Sequence, residues 1–585
     1  MVAETTIVDF NTSRFTRVMS DNENRIDQDR ELILAAQKKG FGATFATYTK
    51  LSGPGWLQSA ITLGGGSLAS SLYLGVLAGY GMLWLQPFAM ILGIIMLSCI
   101  AYVTLSTGER PFRAIRDHIN PVLAWAWALA TLMANMVWSL PQFALANGVL
   151  QQNLAPNLLG GDVGKMINCF VILLVSVGIT WCYGNGGRGI KIYEMILKIM
   201  VAMIVLSFVG VVLKMGSGEN GLNWGEVFAG FVPDLSKLSA PAEGFVPLLE
   251  AVPEAARTYW SDIIVNTQRD VMISAAATAV GINMTFLLGY SLLAKGWDRS
   301  FRGLTIFDLS TGMFIPFVLA TSCVVIAAST QFHLKPSAGL LGETDANGEL
   351  IQPNPKAAGA LAKSLTARVT ATLSDEEKAL SADELQPVID QKIAALPLAE
   401  KRIAATLIKR DVGELALALE PLTGKGFANI IFGLGVLGMA LSTISILMLI
   451  SGFVICEMLD LPHTGLPFKL GCLAACTGVL GPFFWGDAAA YLAVPTSVFG
   501  MALLPIAYIS FFLLMNQKSL LKEHLPAGPA RIVWNVLLFI AAGVATAASL
   551  FVINQKVGAK GWIGVGILLA LALIAHFTRK KPVAS

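Results

Sequence analysis

Four stretches of this chain, Leu51 to Gly108, Ile119 to Gly161, Met166 to Gly187 and Val271 to Ala294, contain no Asp, Glu, Lys or Arg. Each supplies at least the roughly 20 apolar residues that a helix needs to cross a hydrocarbon core about 30 Å thick. A charge at the centre of such a helix would cost about 2.5 kcal/mol or more. Over the whole chain 55% of residues are hydrophobic and 14% are charged, where a soluble domain carries about 25% charged residues. These proportions exclude an ordinary cytosolic enzyme, a disordered chain, a coiled coil and a secreted disulfide scaffold. The sequence reads as an all-α polytopic membrane protein.

A net charge of +3 gives no basis for nucleic-acid binding, and no basic patch is interleaved with aromatics. All seven cysteines (Cys99, Cys169, Cys182, Cys323, Cys456, Cys472 and Cys476) fall inside apolar spans, where Cys acts as a small hydrophobe. The first fifty residues are polar and lack an early apolar core, so no cleavable signal peptide is expected.

Twelve helical spans are predicted, at about 52–77, 82–106, 120–150, 165–184, 189–214, 271–295, 306–330, 427–456, 467–484, 488–515, 531–553 and 560–578. Lys and Arg collect before Lys50, at Arg110–Arg116, at Arg188 and Lys191, at Lys295–Arg302, around Lys518–Lys522 and at Arg579–Lys581. These are the even-numbered connections and the two tails. The positive-inside rule then places both termini in the cytoplasm of a multi-pass inner-membrane protein. The expected organisation is a cytoplasmic segment 1–50, spans one to five over 51–214 and an outer loop 215–270. Spans six and seven follow over 271–330, then a helical outer cap 331–426, spans eight to ten over 427–515, and 516–585 with the last two spans and a tail. Ser374-Asp-Glu-Glu377 and Ser381-Ala-Asp-Glu384 read as capping boxes within the cap, and Pro397 suits the first turn of another helix.

The first span carries Gly64-Gly65-Gly66-Ser67. Each glycine gives up roughly 1 kcal/mol of helix propensity relative to alanine. Unwound backbone at membrane depth is tolerated only where it is buried or lines a cavity. A close helix crossing is the other reading, but crossings use spaced glycines rather than a triplet. Five spans later Gly281-Ile-Asn283-Met284-Thr285 has the same character inside a charge-free segment. Asn283 and Thr285 alone would suit interhelical hydrogen bonds. Paired with the triplet they mark two interrupted helices at matching places in two halves, the pattern of inverted-repeat transporters. The expected substrate-binding residues are therefore Gly64, Gly65, Gly66, Ser67, Gly281, Asn283, Met284 and Thr285.

Gly53-Pro54-Gly55 opening the first span and Gly75-Val-Leu-Ala-Gly79-Tyr80-Gly-Met-Leu83-Trp84 opening the second resemble the Nramp metal-transporter family. Thr107-Gly108, Arg188-Gly-Ile-Lys-Ile-Tyr-Glu194 and Ser451-Gly452-Phe-Val-Ile-Cys-Glu457 are similar too, and the likeness runs from about 50 to 330 and 427 to 515. It implies a LeuT-like fold, with spans one to five and six to ten as inverted repeats, spans one and six broken around a central site, and two further C-terminal helices.

The family's first-span Asp-Pro-Gly-Asn falls here on Gly64-Gly65-Gly66-Ser67, and its sixth-span Met-Pro-His on Asn283-Met284-Thr285. Its acidic third-span proton relay falls on Asn135-Met-Val-Trp138-Ser139-Leu-Pro141-Gln142, which has no carboxylate. Ser139 and Gln142 are the pathway positions in that segment. Ser67, Thr285, the Asn283 carbonyl and backbone oxygens are then the only expected metal ligands. Hard cations prefer several oxygens, usually with carboxylates among them.

No Walker motif, dinucleotide turn, triad or histidine cluster occurs, so no catalysis and no cofactor are expected. The expected function is a secondary transporter of a small solute, a metal ion by resemblance, working by alternating access in the lipid bilayer. An organic solute such as an amino acid or carboxylate is a rival, since bare glycine N–H groups suit an anionic group. A non-transporting sensor or scaffold using the cap is another. Among the remaining charges, Glu194 and Lys198 suit an ion pair on one helix face. Asp308 and Glu457 fall at span ends where water would solvate them, and Asp487 suits the N-terminus of the tenth span.

Overall fold

The computed structural model describes residues 26–183, 187–217, 221–345, 347–408, 430, 432–485 and 489–578. Among them eleven helices are long and apolar enough to cross a membrane, and the bent pair Gly55–Thr62 and Gly65–Ala78 makes a twelfth span. The chain is a multi-pass membrane protein, and its architecture is the LeuT-like one. The elements used below are α1 (Pro54–Thr62), α2 (Gly65–Ala78), α3 (Leu85–Thr107), α4 (Pro121–Val149), α5 (Gly161–Tyr183), α6 (Gly187–Gly216) and α7 (Glu254–Ala279). They continue as α8 (Ile282–Ala294), α9 (Phe314–Phe332), α10 (Phe432–Met458), α11 (Ala489–Met515), α12 (Gly528–Val552) and α13 (Ala559–Thr578).

Spans one and six are both interrupted. Between α1 and α2 only Leu63 and Gly64 leave the helix, and the axes turn by 57°. Gly65, Gly66 and Ser67, expected in unwound chain, instead form the first turn of α2, because the extended Gly64 serves as its N-cap residue. Between α7 and α8 the break is Val280–Gly281, both extended. Asn283 and Thr285 accordingly sit in the first turn of α8 rather than in the break. α1 packs on α8 and α2 on α7, so the two interruptions meet inside the bundle. α10 closes the other side, packing against α4, α6 and α1.

Helix α7 starts at Glu254, well before the expected 271. Charged residues such as Arg257, Asp262 and Arg269 ended the apolar stretch in sequence, but they do not end the helix. Hydropathy marks where a helix leaves lipid, and backbone hydrogen bonds carry this one further. At the periphery α13 has no buried residue; its exposed Ile563, Ile567, Leu571 and Ile574 suit a lipid-facing helix.

One end of the bundle gathers the basic connections. Arg30 Nη2 reaches Asp298 Oδ2 at 3.1 Å, Arg113 pairs with Asp460, and Gln517 Nε2 donates to the His118 carbonyl at 2.9 Å. At the opposite end, helices Pro355–Thr370, Ala382–Ala395 and Leu398–Thr406 form a cap. Both capping boxes are made, by Ser374 with Glu377 and by Ser381 with Glu384. Pro397 is the N-cap residue of the last of these helices rather than part of its first turn. The cap is pinned to α7 by the buried Glu400, which accepts from Arg368 Nε at 2.8 Å and from Trp260 Nε1 at 3.0 Å.

The charges near span ends differ from expectation. Glu194 pairs not with Lys198 but with Lys295, at 2.9 Å, while Lys198 Nζ donates to the Ser52 carbonyl. Asp308 is fully buried, not solvated. It accepts from the amides of Gly53 (3.1 Å) and Gly55 (2.5 Å) and from the Ser52 hydroxyl, and so caps α1. Glu457 is buried among Arg110 (3.4 Å), Arg113 (3.5 Å) and His463 (3.1 Å). Partners from distant parts of the chain remove these carboxylates from water, and one-dimensional spacing does not reveal them. Asp487 lies outside the described residues.

Candidate functional site

A small cavity of about 30 Å³ sits where the two interruptions meet, lined by Ile61, Gly64, Gly66, Ser67, Trp138, Gln142, Thr278, Gly281, Asn283, Met284, Thr443, Ala493, Thr496 and Ser497. That is room for about two water-sized groups. The lining has no ionisable side chain. Among the described residues no cluster of three His, Cys, Asp or Glu could hold a metal ion.

Glycine lets these walls approach each other. A Cβ on Gly64 would stand 2.4 Å from Thr443 Oγ1, and one on Gly281 would stand 2.3 Å from the Trp138 ring. Both readings of the glycine triplet therefore hold in part: Gly64 is unwound, and it also permits a close crossing with α10.

The structure brings Gly64, Gly66, Ser67, Gly281, Asn283, Met284 and Gln142 to the one cavity. Gly65 stands just behind, its amide donating to Gln142 Oε1 at 2.9 Å. Thr285 is elsewhere. Its buried hydroxyl accepts from Trp127 Nε1 at 3.0 Å and donates to the Ile282 carbonyl, because it projects from α8 toward α4 instead of the break. Ser139 is also outside the lining: its hydroxyl donates to the Met136 carbonyl at 2.8 Å, and it packs beside Gly478.

The chemistry of the expected ligands also changes. Asn283 Oδ1 accepts from the Met284 amide at 2.9 Å, so the expected carbonyl ligand is engaged by its own helix. Its Nδ2 is buried without a partner. Ser67 donates its hydroxyl proton to the Thr62 carbonyl. Met284 does reach the cavity as expected, with its sulfur 3.6 Å from Thr62 Oγ1.

Trp138, Thr278, Thr443, Thr496 and Ser497 line the site without having been singled out as site residues. Their signal in sequence is faint: Ser442-Thr443 and Thr496-Ser497 are polar pairs within long apolar runs. Thr443 Oγ1 is buried and has no partner. Trp138 Nε1 donates to the Thr496 carbonyl at 2.7 Å and holds its ring across Gly281 and Gly500.

Two helix N-termini, of α2 and α8, open on this space. Their first amides lack intrahelical acceptors, and the helix dipole adds partial positive charge there. The acceptors around the breaks are largely engaged: Ala60 O by Ser442, Gln58 O by Thr62, Thr62 O by Ser67 and Ala275 O by Thr278. The cavity therefore presents unmet donors, Asn283 Nδ2 and the Thr443 hydroxyl, beside hydroxyl oxygens that have given their protons elsewhere.

Comparison with known proteins agrees with this architecture. The family model described as natural resistance-associated macrophage protein-like (Nramp) matches residues 55–365 and 393–553. Metal transporter Nramp4 of Arabidopsis thaliana is 27% identical over 160 residues, 27% of this chain and 29% of that protein. Metal transporter Nramp6 of Oryza sativa subsp. japonica is 27% identical over 199 residues, 32% of this chain and 34% of that protein. The matched segments thus span about a third of these curated relatives. A solved structure of a mutant manganese transporter of Eremococcus coleocola superposes with a TM-score of 0.55 at 13% identity, over 92% of this chain and 96% of that one. A second mutant of the same transporter gives 0.54 at 14% identity. At such identities the likeness is one of fold.

Proposed function

The chain belongs to the natural resistance-associated macrophage protein-like family, and from that membership we propose that it is a secondary transporter that moves a small solute through the central cavity by alternating access. The observation that carries the reading is the meeting of two broken helices over one small cavity with polar groups in its lining. Such breaks at the midplane are how inverted-repeat transporters build a substrate site that can open alternately to either side. The names of the relatives make a metal ion the first cargo to test. Here it would meet hydroxyl and backbone oxygens and the Met284 thioether, and it would keep part of its hydration. The substrate-contacting residues on this reading are Gly64, Gly66, Ser67, Gly281, Asn283 and Met284, with Gln142 on the pathway and Gly65 holding Gln142 from behind.

The basic end of the bundle faces the cytoplasm on this reading, with both termini there, following the excess of Lys and Arg in its connections. The cap then lies outside. With no carboxylate in Asn135–Gln142, protons are not relayed through that part of α4. Uptake by the purified protein in proteoliposomes, with a panel of divalent metals and a panel of amino acids and monocarboxylates, tests the proposal. Saturable accumulation of one class is expected. If nothing in either panel accumulates, the transporter reading fails and a sensor or scaffold role for the cap takes its place.

A further inference from the structure

The family resemblance would put negative side chains in the central cavity, and this chain puts hydrogen-bond donors there. Asn283 is wholly buried and Thr443 is 4% exposed, and both line the cavity. Asn283 Oδ1 accepts from the Met284 N–H, which it shares with the Gly281 carbonyl. Turning the amide over would set Nδ2 against that N–H, donor against donor. What Asn283 offers the cavity is therefore an N–H that no group accepts. Gln142 is fixed in the same sense, since its Oε1 is taken by the Gly65 amide.

A metal ion cannot use an N–H donor, and a water bound to a metal directs its hydrogens, not its lone pairs, outward. Leaving a buried donor unmet is costly, and the first-turn amides of α2 at Gly66 and Ser67 have no intrahelical acceptor. We propose that the central cavity binds a small anion of the carboxylate class. The anion accepts from Asn283 Nδ2, the Thr443 hydroxyl and the open first-turn amides of α2 at Gly66 and Ser67. It supplies the negative charge that no side chain there provides, and a metal cargo would pair with it. The proposal rests on reading this cavity as the transport site.

Equilibrium dialysis of the purified protein against radiolabelled acetate, radiolabelled manganese, and each in the presence of the other tests it. Saturable acetate binding is expected. It should weaken at least tenfold in Asn283→Asp, which puts a carboxylate where the donor was, and several-fold in Thr443→Val, which keeps the shape and removes the hydroxyl. Manganese should bind more tightly with acetate than without it, or not at all. Absence of acetate binding to the unmodified protein would overturn the proposal, as would acetate binding unchanged in both variants. So would manganese binding that is indifferent to acetate. Proteoliposome uptake separates the two levels: acetate bound but never accumulated refutes transport and leaves the anion site standing. Metal accumulated by a protein that ignores acetate does the reverse.

Discussion

Asp308 gives the sharpest quantitative expectation. Its carboxylate is fully buried and accepts from the Gly53 amide, the Gly55 amide and the Ser52 hydroxyl at the start of α1. Oδ2 takes both amides, and Oδ1 takes the hydroxyl. In Asp308→Asn one oxygen can still accept from both amides, while the new NH₂ faces Ser52, whose hydroxyl can turn to accept. The loss is then mainly that of a negative charge at a helix N-terminus, about 1 kcal/mol. In Asp308→Ala two buried amides lose their acceptor, at about 1 kcal/mol or more each, together with the half-buried Ser52 hydroxyl, so a loss of about 2–3 kcal/mol is expected. Unfolding of the detergent-solubilised protein by added SDS, followed by tryptophan fluorescence, reads both. Equal destabilisation by the two variants would refute capping by geometry and leave only the charge. An alanine variant within about 0.5 kcal/mol of wild type would refute the capping role altogether, since even a surface cap is expected to contribute that much.

Three further expectations follow from particular contacts. Glu400→Ala leaves Arg368 buried without its partner; a loss of about 3 kcal/mol is expected, with the cap cleaved faster in limited proteolysis. Gly281→Ala should abolish uptake while the protein still accumulates in the membrane, because its Cβ meets the Trp138 ring; Trp138→Ala in the same chain should restore part of it, and no restoration would refute the steric account. His333, just beyond α9, donates through Nδ1 to the Val76 carbonyl at 3.0 Å, and burial lowers its pKa. The carbonyl can only accept, so Nδ1 carries the proton in the neutral ring. Because the folded value is depressed, the contribution to stability is complete above the unfolded value of about 6.5 and fades as pH falls through the folded one. His333→Gln should flatten the stability–pH curve there, and an unchanged curve would assign the dependence elsewhere.

The number of spans, their approximate places and the existence of two interruptions were legible in the sequence, because lipid enforces them locally. Charge is excluded from a hydrocarbon core, and a glycine triplet weakens a helix wherever it stands. The two capping boxes were legible for the same reason, since each closes within four residues. The exact edges of the breaks were not. Gly65, Gly66 and Ser67 join α2 because Leu63 and Gly64 suffice to make the turn, and α7 begins at Glu254 because charged residues do not end a helix whose backbone bonds continue. The site was legible in part. Gly64, Ser67 and Asn283 follow from the broken helices that carry them, whereas Thr443 comes from α10 and Trp138 from α4, and only packing brings them together. The tertiary structure also decided the direction of hydrogen bonds. It turned Thr285 toward Trp127, engaged Asn283 Oδ1 with Met284, and took Asp308 and Glu457 out of water. A residue's type states which bonds it can make, but burial forces those bonds to be made with whichever neighbours the fold supplies. For Thr285, Asp308 and Glu457 those neighbours include residues 158, 255 and 347 positions away, while Asn283 meets the residue next to it.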